Sequence, residues 1–274
     1  MRCCVECRAT KRCSARDCVI ARLTMTQVAA MDMISVPLYR FLMPQHIGIV
    51  ACSAEGAALC YRTICTEGPQ YLGRHGHPEV SMHTPSLAVT MDCIYRDDWR
   101  GVADIMLASA RKLVAAGADF LICPDNTIHQ ALALVTPHSP RPWLHIAETV
   151  AEEAVARGFR RLGLLGTRWL VESAVYPDVL LARGVSVVRP EAVERDEMNR
   201  IIMDELVCGI FRPQSVAWFQ HTIARMRDAG GAGCDAVVLG CTEIPLIIQE
   251  ENSPLPTLDS TRLLARAALR RAVA

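Results

Sequence analysis

Two cysteines lie in similar surroundings, far apart in the chain. In "GADFLICPDNTIHQ", residues 117–130, a short apolar run ends at Cys123, and small polar residues follow. In "CDAVVLGCTEIPL", residues 234–246, a second apolar run ends at Cys241. Two such groups on opposite faces of a carbon atom can invert its configuration, because one thiolate removes a proton while the opposite thiol delivers another. The pair therefore predicts a two-thiol acid/base site.

This chemistry needs no metal and no organic cofactor. A free thiol titrates near pH 8.5, so a modest depression of its pKa gives the mixed protonation state that acid/base catalysis requires. Asn126, Thr127 and Thr242 are neutral polar groups that could hold a substrate carboxylate and spread the charge of a carbanion. The only lysines are Lys11 and Lys112, which argues against the Schiff-base lysine of a pyridoxal-phosphate enzyme.

Composition describes a globular protein without a polyanionic partner. The chain has 274 residues, of which 51% are hydrophobic and 21% charged, and its formal net charge is zero. We therefore predict neither a nucleic-acid nor a membrane partner. The thirteen cysteines are scattered and odd in number, which favours reduced thiols in a cytoplasmic protein. Six cysteines after residue 42, other than Cys123 and Cys241, are expected to be structural: Cys52, Cys60, Cys65, Cys93, Cys208 and Cys234.

The elements that must position the two cysteines alternate along the chain. Short apolar runs predict strands in "HIGIVAC", "EVSMHTPSL", "ADFLIC", "RLGLLG", "VSVVRP" and "DAVVLG". Amphipathic segments between them predict helices, among them "AEGAALCYRTICTEG", "DDWRGVADIMLASARKLVAAG", "IAETVAEEAVARG", "WLVESAVYPDVLLARG", "EMNRIIMDELVCGIF", "SVAWFQHTIARMRDAG" and "STRLLARAALRRAVA". This alternation is typical of parallel α/β layers. Both cysteines then lie at carboxyl ends of strands, where open parallel sheets bind ligands.

We predict two similar parallel-sheet α/β domains with the site in the cleft between them. The first domain is expected to span residues 43–146 together with the C-terminal helix, 257–274, and the second to span 147–256. Residues 1–42 are rich in cysteine and basic residues and are expected to be a disordered or non-native extension, with a natural start at Met43. A small zinc site built on Cys4 and Cys7 is a less favoured interpretation of the extension.

Five segments in order resemble the aspartate/glutamate racemase superfamily. They are "IGIVACSAEGAALCYR", "AGADFLICPDNTIH", "GLLGTRWLVES", "IIMDELVCGIF" and "VVLGCTEIPL". The resemblance covers residues from about 47 to the C-terminus, and it is strongest to aspartate racemases and their broader-specificity relatives. It implies two similar α/β domains, a cleft site, racemisation without a cofactor and a homodimer.

The resemblance also implies roles for individual residues. Cys241 matches the second catalytic cysteine, and Asn126 and Thr127 match a pair that binds the α-carboxylate. Arg62 and Arg168 match positions where the family places basic residues that hold substrate carboxylates. Three further residues are candidates for substrate binding: Ser53, Thr242 and Glu243.

The first motif departs from the family pattern. Relatives usually read Cys-Thr-Asn-Thr, whereas this chain reads Cys-Pro-Asp-Asn-Thr, so that Cys123 lies four residues before Thr127. An in-register backbone would put Pro124 in the catalytic position, since a shift of one residue turns a side chain to the other face of a strand. Three alternatives follow: Cys123 still reaches the cleft because the proline bends the strand end, Asp125 serves as the second acid/base group, or Cys241 acts alone.

The leading hypothesis is a racemase for aspartate or glutamate, with Cys123 and Cys241 as opposed acid/base groups and Arg62 and Arg168 holding carboxylates. One alternative is a single-cysteine decarboxylase or cis-trans isomerase acting on a dicarboxylic acid. The other is a protein that binds an amino acid or a small carboxylate without turning it over.

Overall fold

The computed structural model describes residues 44–228 and 233–274, and residues 45–274 form one compact unit. The unit contains two four-stranded sheets, and every strand pair in them is parallel. With the strands numbered along the chain, the spatial order is 2-1-3-4 in the first sheet and 6-5-7-8 in the second. The two sheets thus repeat one strand order, as expected for two similar parallel-sheet α/β halves.

The first half contains strands β1 to β4. These strands are Ile47–Val50 (β1), Val80–His83 (β2), Phe120–Ile122 (β3) and Trp143–Leu144 (β4). The helices around them are Ala54–Glu67 (α1), Pro69–Leu72 (α2), Leu87–Tyr95 (α3), Trp99–Ala115 (α4) and Leu132–Val135 (α5), with 3-10 turns at Thr127–Ala131 and Thr136–His138.

The second half contains strands β5 to β8. These strands are Arg161–Leu165 (β5), Ser186–Val188 (β6), Ala236–Leu239 (β7) and Thr257–Asp259 (β8). The helices are Ile146–Ala156 (α6), Arg168–Val171 (α7), Val175–Leu181 (α8), Ala192–Asp204 (α9), Pro213–Asp228 (α10) and Ser260–Val273 (α11), with 3-10 turns at Leu206–Cys208 and Ile244–Leu246.

Helix α11 connects the end of the chain to the first sheet. Its buried residues Leu264, Ala268 and Leu269 belong to one core cluster with Ile49 of β1 and Phe120 of β3. Strand β8, which directly precedes α11, pairs with β7 of the second sheet. The predicted boundary near residue 146 stays a prediction, because the contacts join residues 45–274 into a single unit.

Local signals in the sequence explain the longest helix of the first half. The side chain of Asp98 accepts a hydrogen bond from the backbone N–H of Gly101, which satisfies one of the free donors at the start of α4. Gly117 follows the helix with φ = +104°, a conformation that a residue with a side chain rarely adopts. Both features agree with the predicted helix, which was expected to have Asp97 or Asp98 as its N-cap and to stop at Gly117.

Three predicted elements were wrong in extent. The predicted helix "EMNRIIMDELVCGIF" runs to residue 211, whereas α9 ends at Asp204 and only the 3-10 turn Leu206–Cys208 follows it. The predicted strand "EVSMHTPSL" ends at His83, and its last residue, Leu87, begins helix α3. The predicted helix "WLVESAVYPDVLLARG" is two helices, α7 and α8, separated by residues 172–174. Pro177 has no backbone N–H to donate, so it fits the first turn of α8 but not the interior of one continuous helix.

The predictions for the N-terminal extension, including the zinc-site interpretation, lie outside the described residues. Within residues 44–228 and 233–274, no helix is long and apolar enough to cross a membrane.

Candidate active site

A cavity lies at the carboxyl ends of the four central strands. It receives residues that follow β1 and β3 in the first sheet and β5 and β7 in the second, and it encloses about 530 Å³ when its open mouth is included. The polar part of its lining consists of Cys52, Ser53, Asp125, Asn126, Thr127, Thr167, Cys241, Thr242 and Glu243. This is the position at which parallel sheets bind ligands, since the loops diverge there.

Asp125 is the acidic group that the β3 end presents to the cavity. One carboxylate oxygen accepts the backbone N–H of Ile128 at 3.1 Å, which fixes the loop at the start of the 3-10 turn. The carboxylate also accepts a hydrogen bond from the thiol of Cys52. Burial raises the pKa of Asp125 to about 6, and the charge of Glu243 acts in the same direction, whereas the hydrogen bonds oppose the shift.

Cys123 lies in the same loop but does not line the cavity. Its side chain is fully buried in the core cluster of the first half, where Leu121 and Ile128 are also found. Its sulfur lies 3.9 Å from the backbone carbonyl oxygen of Asp125. Burial is the largest of the effects that raise the pKa of this thiol, and the charge of Asp125 adds to it. The loop therefore turns the carboxylate of Asp125 toward the cavity and the thiol of Cys123 toward the core.

Cys241 lines the cavity from the β7 end and is 8% exposed. Its thiol donates a hydrogen bond of 2.9 Å to Oε2 of Glu243, and the hydroxyl of Thr242 donates one of 2.7 Å to the same oxygen. Burial raises the pKa of Cys241, and the negative charge of Glu243 raises it further. These contacts keep Cys241 a thiol rather than a thiolate while Glu243 is ionised.

The two halves approach each other closely around Thr242. Its hydroxyl lies 3.1 Å from the hydroxyl of Ser53, which also accepts the backbone N–H of Gly56 at the start of α1. A side chain on Gly56 would bring its Cβ within 2.4 Å of Cγ2 of Thr242, so only glycine permits this approach. The loops after β1 and β7 thus share one wall of the cavity.

Asn126 and Thr127, predicted to bind the α-carboxylate, have different surroundings. The side chain of Asn126 donates to Ser260 at 3.0 Å and accepts from the hydroxyl of Tyr176 at 2.7 Å, so its amide already has partners within the protein. The hydroxyl of Thr127 lies 2.9 Å from that of Thr167, which follows β5. The pair of threonine hydroxyls is the more accessible donor set for a carboxylate, and the predicted roles of Asn126 and Thr127 stay predictions.

Arg62 and Arg168 lie apart from the cavity-lining residues. Arg62 is exposed on helix α1, and Arg168 is exposed at the first position of α7. The guanidinium of Arg168 lies 5.8 Å from the ring centroid of Trp169, which does line the cavity. The structure therefore puts Arg168 near the cavity and gives no contact between Arg62 and the cavity, and the binding roles of both stay predictions.

Cys52 is the cavity residue that the sequence analysis assigned to the structural cysteines. It is 5% exposed, lines the cavity after β1 and donates to Asp125. Its pKa is raised mainly by burial, with a smaller contribution from the charge of Asp125. The signal that could have identified it is its position directly after a parallel strand, the same argument that selected Cys123 and Cys241.

Within the described parts of the chain, no group of three or more His, Cys, Asp or Glu residues is arranged to hold a metal ion. All eight cysteines in these residues are free thiols.

The chain is similar to known racemases and their relatives. The profile of the family described as Asp/Glu/Hydantoin racemase matches residues 47–268. The broad-specificity amino-acid racemase RacX of Bacillus subtilis is 24% identical over 164 residues, which cover 60% of this chain and 69% of that protein.

Two solved structures resemble the chain over most of its length. An aspartate racemase homologue from Pyrococcus horikoshii is 28% identical, with a TM-score of 0.73 over 84% of this chain and 100% of the other. A Yersinia pestis protein described as a candidate Asp/Glu racemase is 27% identical, with a TM-score of 0.76 over the same shares of the two chains. The chain therefore belongs to the Asp/Glu/Hydantoin racemase family, a family of isomerases, and this membership supports racemisation of a small amino-acid substrate.

Proposed function

We propose that this protein racemises an amino acid at its α-carbon without a cofactor, with Asp125 and Cys241 as the opposed acid/base groups. The observation that supports this pairing is that both side chains line one cavity, Asp125 from the end of β3 and Cys241 from the end of β7. The charge of Asp125 also raises the pKa of the Cys241 thiol. In the predicted two-thiol mechanism, Cys123 would have to leave the core to take the position of Asp125.

The reaction balances with these two groups alone. The carboxylate of Asp125 takes the α-proton, and the electron pair of the broken C–H bond is delocalised into the substrate carboxylate as an enediolate. The thiol of Cys241 then gives its proton to the opposite face of the α-carbon and becomes a thiolate. Afterwards Asp125 loses its proton to solvent and becomes a carboxylate again, and Cys241 takes a proton from solvent and becomes a thiol again. The opposite enantiomer is consumed by the same steps in reverse.

The pKa shifts match these protonation states. A carboxyl group with a pKa of about 6 is mostly ionised at pH 7, yet it is a stronger base than an ordinary aspartate. The raised pKa of Cys241 keeps its proton available for delivery. The resting pair is therefore carboxylate and thiol, which is the combination that proton removal by Asp125 needs.

Neutral hydroxyls are the groups that stabilise the enediolate in this proposal. The hydroxyls of Thr127 and Thr167 form one pair in the cavity lining, and those of Ser53 and Thr242 form a second. Donors aimed at a developing negative charge inside a partly dry site are worth several kcal/mol of transition-state stabilisation, on the order of 3 kcal/mol for one good donor. The α-ammonium group of the substrate pairs with the carboxylates of Asp125 and Glu243.

The test incubates the protein in D2O with a panel of acidic and apolar L-amino acids. Proton NMR monitors loss of the α-proton signal, and a chiral assay measures the D-enantiomer. For whichever amino acids exchange, the rate at which the opposite enantiomer forms should fall about 100-fold or more in Asp125→Asn and in Cys241→Ala, the usual contribution of one acid/base group. Cys123→Ala should keep most of its exchange rate, provided that its thermal unfolding shows that it is folded.

The variants separate the alternatives that the sequence left open. Loss of exchange in folded Cys123→Ala, with exchange retained in Asp125→Asn, would replace this proposal by the two-thiol mechanism. Release of carbon dioxide from a malonate-like acid that depends on Cys241 alone would favour the single-cysteine decarboxylase. Binding of an amino acid without exchange would identify a binding protein.

A further inference from the structure

A large part of the cavity lining is apolar. In the first half, helix α3 contributes Leu87, Met91 and Ile94. Ile94 is buried, while Leu87 and Met91 are partly buried and pack against the same core cluster. Helix α3 thus presents one face of aliphatic and thioether side chains to the cavity.

The second half adds side chains of the same character to the lining. Ile202 and Met203 come from the last turns of α9, and Val207 comes from the 3-10 turn that follows it. Trp169 of α7 also lines the cavity, and its ring is tilted by 60° to that of Tyr95, with the ring centroids 5.6 Å apart. We call these seven lining residues together the apolar wall: Leu87, Met91, Ile94, Trp169, Ile202, Met203 and Val207.

The charges that do face the cavity are negative. Asp125 and Glu243 contribute two carboxylates to the lining, and no Lys, Arg or His side chain from residues 44–228 or 233–274 belongs to it. Arg168 is exposed outside the lining, with its guanidinium 5.8 Å from the ring centroid of Trp169. A substrate carrying a side-chain carboxylate would place that group against apolar atoms and add a third negative charge to the cavity. Burial of an unpaired carboxylate costs several kcal/mol, whereas each buried CH2 contributes about 0.8 kcal/mol in favour of binding.

We infer that the substrate is an amino acid with an apolar side chain, such as leucine, methionine or phenylalanine, rather than aspartate or glutamate. This inference rests on the proposed racemisation at Asp125 and Cys241. The α-carbon then lies between these two groups, with the ammonium toward the carboxylates and the carboxylate toward the threonine and serine hydroxyls. The side chain extends from there to the apolar wall.

The first experiment compares α-proton exchange rates in D2O for L-leucine, L-methionine and L-phenylalanine with those for L-aspartate and L-glutamate. The apolar amino acids should exchange at least 10-fold faster at equal concentration. Faster exchange of aspartate or glutamate would overturn the inference on the substrate and leave the proposed racemisation intact. Absence of exchange with every member of the panel, and with the D-enantiomers, would instead overturn the proposed racemisation.

The second experiment places a cation in the apolar wall. Met203 is partly buried at the cavity and has a length similar to that of arginine's aliphatic stem, so Met203→Arg can direct a guanidinium toward the substrate side chain. The ratio of the glutamate rate to the leucine rate should rise at least 10-fold. The matched variant Met203→Gln is polar but neutral, and it should lower leucine exchange without this gain for glutamate. An unchanged ratio in a folded, active Met203→Arg would show that the side chain does not meet this wall.

Discussion

The loops after β3 and β7 carry the same pair of groups but present them differently to the cavity. In each loop a cysteine is followed two residues later by a carboxylic acid: Cys123 by Asp125, and Cys241 by Glu243. After β3 the carboxylate lines the cavity and the thiol lies in the core. After β7 both groups line the cavity, and the thiol donates to the carboxylate at 2.9 Å. Similar loops at equivalent sheet positions therefore present different acids.

The backbone after each strand accounts for this difference. Strand β3 ends at Ile122, and Asp125 is tied by its carboxylate to the backbone N–H of Ile128. Strand β7 ends at Leu239, and Cys241 comes two residues later, after Gly240. A cysteine one residue after a strand and one two residues after it point to opposite sides, in accordance with the alternation of side chains along extended chain. Beyond Cys123 the chain leaves the extended conformation and approaches the 3-10 turn that begins at Thr127, and the carboxylate of Asp125, rather than a thiol, lines the cavity.

The largest expected effect comes from making the two loops alike. In the double variant Cys123→Ala/Asp125→Cys, a thiol replaces the carboxylate at the cavity. The ascending limb of the pH–rate profile should move to higher pH, because an ordinary thiol titrates well above the pKa of about 6 that burial gives Asp125. At pH 7 the α-proton exchange rate should fall by about 100-fold or more and should still be rising with pH at pH 9, because burial also raises the pKa of a thiol at this position.

The matched control is Cys123→Ala/Asp125→Asn, which has no titratable group at the position and should stay inactive at every pH. An equal loss in both double variants across the whole pH range would mean that the side chain at position 125 does not take part in proton transfer. The difference between the two loops would then affect only how their side chains pack, and not the proton transfer.

The next effect is on stability, and it separates the catalytic role of Asp125 from the effect of its buried charge on the free energy of unfolding. Its folded-state pKa of about 6 lies above the ordinary value of 3.8, so the folded protein favours the protonated form. The resulting contribution to stability is complete below pH 3.8 and is lost as the pH rises through about 6. Asp125→Asn removes this pH dependence, and asparagine can still accept the backbone N–H of Ile128.

At pH 8 we therefore expect Asp125→Asn to be more stable than the parent by about 1–2 kcal/mol, although it is inactive. Chemical denaturation at pH 5 and pH 8 measures the difference, which should be larger at pH 8. A loss of stability at pH 8 would show that the hydrogen bonds of the carboxylate outweigh the cost of burying its charge. No such gain is expected for Asp119→Asn, a change to another aspartate of the first half that lies outside the cavity lining.

The sequence predicted most of the scaffold because its signals are local. The apolar runs of β1, β3, β5 and β7 and the cap of α4 at Asp98 are readable without tertiary information. The short edge strand Trp143–Leu144 was not predicted, since it forms by pairing with β3 and carries little pattern of its own. Helix α3 was not predicted, and only its first residue, Leu87, lay in a predicted element, although α3 supplies three residues of the apolar wall.

The cavity itself was predicted in position but only partly in content. The rule that ligands bind at carboxyl ends of parallel strands pointed to the loops after β3 and β7, and the cavity lies there. Which side chain faces it depends on backbone angles in residues 123–125, beyond the last paired residue of the strand, and a sequence pattern does not contain these angles. Asp125 was accordingly one of three alternatives, and Cys52 was assigned to the core.

The smallest effect concerns Cys52, which follows β1. Its thiol donates a hydrogen bond to Asp125 and has no acid/base role in the proposed mechanism. Its hydrogen bond lowers the pKa of Asp125 against the effect of burial, so Cys52→Ala should raise that pKa and shift the ascending limb of the pH–rate profile upward. The exchange rate should fall a few-fold near pH 6 and little at pH 8. Cys52→Ser keeps a donor and should restore the parent profile, which a purely structural role of the sulfur would not produce. A uniform loss at all pH values in both variants would show that Cys52 acts only through packing. The pKa of Asp125 would then be set by burial and by the charge of Glu243, with no contribution from the loop after β1.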